Sequence, residues 1–109
     1  MSTTRLIARK LKISRFTIDV LLQRLAHLTE SPDAAFGACE DLVHQIQARV
    51  ADCDQWHDTL CSRFIAISWR ELDAMEALNA DFIELQCKIT ILLTCVNRLE
   101  QRVHWLEAA

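Results

Sequence analysis

Met75, Leu78, Phe82, Leu85, Ile89, Leu92, Val96, Leu99, Val103 and Leu106 follow one another in alternating steps of three and four residues. That spacing returns apolar side chains to one strip of a helix through five heptads. It predicts a heptad-patterned helix over 69–108 whose seam presses against other helices. A second stripe, Phe36, Cys39, Val43, Ile46, Val50, Cys53, His57, Leu60, Phe64 and Ile67, predicts a helix over 31–67. Its start is marked by Ser31, which can cap, Pro32, which suits the first helical position, and Asp33, which favours the positive end of the helix dipole. Upstream, Leu11, Ser14, Ile18, Leu21, Leu25 and Leu28, with Leu22 widening the stripe, predict a short amphipathic helix within 1–29. Ser2, Thr3 and Thr4 can cap a start early enough to carry Leu6 and Ile7 into it.

The register changes between Ile67 and Met75, because continuing the second stripe would put Glu71, Ala74, Asp81 and Lys88 on the seam. Ser68-Trp69-Arg70-Glu71 matches a capping box and Ile67 with Leu72 a hydrophobic staple, so a turn here predicts a helical hairpin. The competing reading is a four-residue stutter within one long rod, which the lack of Gly, Pro and Asn in this stretch permits. On the third helix β-branched and aromatic residues alternate with Leu, as in a two-stranded zipper. Its flanks form few complementary charge pairs, and Leu93, Ile83 and Ile91 widen the apolar surface, which favours a bundle over an isolated pair. The predicted fold is all-α: a long helical hairpin or coiled-coil-like bundle with a short N-terminal helix, in a single domain over 1–109.

Composition narrows the picture. With one glycine (Gly37), one proline (Pro32), no tyrosine and 51% apolar residues, the chain lacks the material for hairpin turns, Gly-rich phosphate loops or extended disorder. No uncharged run approaches the ~18 residues of a membrane span, so no transmembrane segment is expected. Cys39, Cys53, Cys61, Cys87 and Cys95 are odd in number and form no C-x-x-C pair. They read as small buried hydrophobes in a reducing, cytoplasmic setting.

Charge is uneven. Residues 1–24 hold six bases and one acid, net +5, whereas residues 25–109 hold six bases and fourteen acids, net −8. Arg5, Arg9, Lys10, Lys12 and Arg15 are interleaved with apolar residues and are the candidate anion-binding set. Such a segment can grip the phosphates of a nucleic acid, lie on anionic lipid, reach the acidic body of a neighbouring copy, or simply begin a solvated helix packed on the bundle.

Chemistry of other kinds finds little support in the sequence. Cys53, His57 and Cys61 fall at i, i+4 and i+8 on one helical strip, a weak candidate for zinc that needs a fourth ligand from elsewhere. Their simpler reading is a core histidine among cysteine fillers, so no metal and no other cofactor is expected. Asp54-x-x-His57 occurs once, where a carboxylate-bridged di-iron bundle needs two Glu-x-x-His pairs. Cysteines and histidines are plentiful, but no pocket or oxyanion site is legible beside them. Trp56, Trp69 and Trp105 lie off the seams, either covering joints between helices or anchoring a partner. The expected function is non-enzymatic: a helical protein–protein interaction module, an adaptor, scaffold or regulatory subunit, that self-associates through its heptad seams as a homo-oligomer. The alternative is a small nucleic-acid-associated protein with a basic N-terminal arm.

Overall fold

A computed structural model describes residues 3–30, 37, 39–67 and 72–108 as three helices, α1 (Thr3–Thr29), α2 (Glu40–Ala66) and α3 (Leu72–Ala108), with no strand among them. The segment from Ser31 to Phe36, Ala38, the capping box at 68–71 with its Trp69, and the two chain ends lie outside the described residues.

The change of register after Ile67 marks a reversal of the chain. α2 ends where Ile67 turns extended (φ −73°, ψ 127°) while its N–H still donates to the Arg63 carbonyl at 3.1 Å. Arg63 Nη1 then donates to Asp81 Oδ2 at 2.7 Å. In a continuous rod these residues would stand about 27 Å apart at ~1.5 Å per residue, so α2 and α3 form an antiparallel hairpin. α1 lies along α3 in the same direction, since Lys10 reaches Asn79 and Arg24 reaches Glu100. It runs opposite to α2, with Arg15 against Asp54.

The apolar stripes explain why the helices meet this way. Ile7, Ile18, Leu21 and Leu25 of α1, Val43, Ile46, Val50 and Leu60 of α2, and Leu78, Phe82, Leu85, Val96 and Leu99 of α3 are buried in one continuous core. The third-helix seam is buried from Met75 through Val103, and only Leu106, 43% exposed, stands outside. Ile7 joins the core because α1 begins at Thr3, the earlier of the two starts that the sequence allows. α3 has 37 residues, about 55 Å at ~1.5 Å per residue, and sets the long dimension of a molecule measuring 59 × 21 × 16 Å.

The seam expected to hold a second copy is therefore closed within one chain. Three stripes on three helices satisfy each other, as in an up-down-up bundle. Any further association must use other faces.

Candidate interaction surfaces

The basic segment of α1 is divided by the helix into two functions. Lys10 and Arg15 turn toward the bundle. The Lys10 ammonium donates to Asn79 Oδ1 at 2.7 Å. Arg15 pairs with Asp54 and stands 3.6 Å from Asp19 and 3.8 Å from Asp58. Further along, Arg24 forms a fork with Glu100, Nε to Oε1 at 2.7 Å and Nη2 to Oε2 at 2.9 Å, and also donates to Asn97. Hydrogen bonding to the Glu100 carboxylate holds the Arg24 guanidinium above its ordinary pKa. These three cations orient α1 on the hairpin. Arg5, Arg9 and Lys12 are exposed, and among the described residues Arg9 and Lys12 make no ion pair or side-chain hydrogen bond. Beside them Leu6, Ile13 and Phe16 are also exposed, Ile13 at 47% and Phe16 at 70%. Arg9, Ile13, Phe16 and Val20 fall at i, i+4, i+7 and i+11, one outward stripe on the side of α1 away from its buried positions.

A second surface lies between α2 and α3. Leu42, Ile46, Cys53, Ile91, Leu92 and Cys95 line a cleft of about 430 Å³ whose rim carries Gln45, Arg49, Asp52 and Lys88. Ile46 and Leu92 form a buried floor, and Ile91 stands 64% exposed at the edge. In the sequence Ile91 widens the third-helix stripe and Cys95 reads as a small buried hydrophobe, whereas Leu42 and Arg49 carry no signal of a shared surface. The signal available was spacing: Leu42 and Arg49 are one heptad apart on the flank of the α2 seam, but nothing in one helix tells which flank of another it will face.

Cys53, His57 and Cys61 share a helical strip without forming a ligand cluster. Among the described residues no three His, Cys, Asp or Glu side chains are grouped so as to hold a metal ion. His57 is 5% exposed, and its Nε2 stands 2.9 Å from the Leu11 carbonyl oxygen of α1. A carbonyl only accepts, so Nε2 carries the hydrogen and His57 bridges α2 to α1. Cys61 Sγ lies 3.7 Å from Nδ1 and 3.8 Å from Nε2, beside the ring rather than on one lone pair. Asp58 stands 3.8 Å from Nδ1. Burial raises the pKa of the Cys53 thiol; Lys88 opposes the shift and Asp52 adds to it. Burial likewise raises that of Cys61, with Asp58 adding to the shift and Arg15 opposing it. Both shifts favour the neutral thiol over the thiolate, the nucleophilic form.

The tryptophans separate. Trp56 packs against the core with its Nε1 buried, whereas Trp105 is 74% exposed near the end of α3. No described helix is long and apolar enough to cross a membrane. Compared with protein-family models, curated proteins and solved structures, the chain finds no match.

Proposed function

We propose that this chain is a non-enzymatic helical interaction module that self-associates through the cleft between α2 and α3. The observation that carries this reading is the cleft's composition: an apolar floor bordered by charges of both signs, Asp52 against Arg49 and Lys88. A dimer with twofold symmetry pairs one patch with its own copy, so the patch must be complementary to itself. A rim carrying both signs meets that condition when Asp52 of one copy faces Arg49 or Lys88 of the next. The available side, 59 by 21 Å, is also larger than the roughly 800 Å² per partner of a standard interface. The five unpaired cysteines accord with a reducing, cytoplasmic location.

Sedimentation velocity over a concentration series tests the reading. The wild type is expected to sediment as a dimer. Ile91→Glu, which places a charge on the exposed apolar edge of the cleft, is expected to weaken the dimer at least about a hundredfold without loss of helical circular dichroism. A monomer at every concentration, or a dimer indifferent to Ile91→Glu, contradicts it.

A further inference from the structure

The outward face of α1 differs from the cleft in charge and in shape. Where the cleft is a furrow bordered by both signs, the α1 face is a ridge with cations and exposed apolar side chains intermixed. Arg9 and Lys12 stand beside Ile13 and Phe16, with Leu6 a turn before. Between residues 3 and 24 the single acid, Asp19, is near Arg15. A positive patch cannot pair with a copy of itself. Nor does it suit the cleft of another copy, whose rim sets two cations, Arg49 and Lys88, against the single acid Asp52.

We infer that this face rests on an anionic lipid surface. A basic helix with Phe, Ile and Leu exposed among its cations suits the boundary between headgroups and acyl chains, where apolar side chains enter the hydrocarbon and Lys and Arg meet lipid phosphates. The cations tied into the bundle, Lys10, Arg15 and Arg24, orient α1 on α2 and α3 so that its apolar ridge faces outward. A nucleic-acid backbone offers Ile13 and Phe16 nothing to bury against, and Lys10 and Arg15 already have partners within the chain. The face lies across the bundle from the cleft, so lipid binding and self-association do not compete.

Co-sedimentation with vesicles, using the full chain, tests the inference. Binding to phosphatidylcholine vesicles containing phosphatidylserine is expected, with little binding to phosphatidylcholine alone. Arg9→Ala with Lys12→Ala lowers the affinity about thirtyfold, taking about 1 kcal/mol per cation near an anionic surface. Ile13→Ser with Phe16→Ser lowers it about tenfold or more. Both pairs are solvent-facing, and unchanged circular dichroism verifies that the bundle is intact. Ile91→Glu retains the lipid preference, which separates this face from the cleft. Equal binding to both vesicle types, no binding to either, or indifference to both pairs of substitutions overturns the inference. Salt-sensitive binding to duplex DNA without vesicle binding overturns it in favour of nucleic acid.

Discussion

Two polar side chains stand on apolar seams, and their surroundings treat them oppositely. His57 reaches out of α2 to the Leu11 carbonyl, so its burial is accompanied by a hydrogen bond that joins two helices. Ser14 is 1% exposed and its hydroxyl has no partner among the described residues. A buried hydroxyl without a partner is destabilising, and serine is also a weaker helix former than alanine. Ser14→Ala is therefore expected to raise stability by about 0.5–1 kcal/mol in urea denaturation with the slope unchanged. A loss of stability would mean that the hydroxyl is satisfied after all. The heptad positions of both residues were legible in the sequence, as was the reading of His57 as a core histidine. What His57 bonds to was not, because Leu11 lies 46 residues away and a carbonyl has no sequence signature.

Among elements, α3 carries the bundle. Its seam meets α1 on one flank, through Asn79, Asn97 and Glu100, and α2 on the other, through Asp81 and the cleft residues. Burial along it is unequal, and stability should follow. Leu85→Ala, at a fully buried position, is expected to lower stability by about 2–5 kcal/mol, whereas Leu106→Ala, with the side chain largely in water, should lower it by under about 1 kcal/mol. Equal effects in thermal or urea unfolding would show that the seam is not buried as described. The stripes were readable because a helix repeats every 3.6 residues whatever its neighbours. The slip after Ile67 was readable too, but its meaning, reversal or stutter, rested on which residues meet across the turn. Arg63 with Asp81 decides it. The cleft was beyond sequence reasoning for the same reason: Leu42 and Ile91 share a surface only once two helices are docked.

At the scale of the whole molecule, the uneven charge acquires a geometry. Part of the N-terminal positive charge is used within the chain, Arg15 on Asp54 and Arg24 on Glu100, and the remainder faces outward with Ile13 and Phe16. Surface ion pairs of this kind contribute only ~0–1 kcal/mol each, so they orient α1 rather than hold it. The buried stripes hold it. Closure of the third-helix seam by α1 and α2 of the same chain separates folding from association: the core is complete before any partner arrives. The most direct test is unfolding of the Ile91→Glu chain, followed by circular dichroism at widely separated protein concentrations. A seam closed within one chain predicts full helicity and an unfolding midpoint independent of concentration. Helix lost on dilution, or a midpoint that falls with it, would show that the seam needs a second copy.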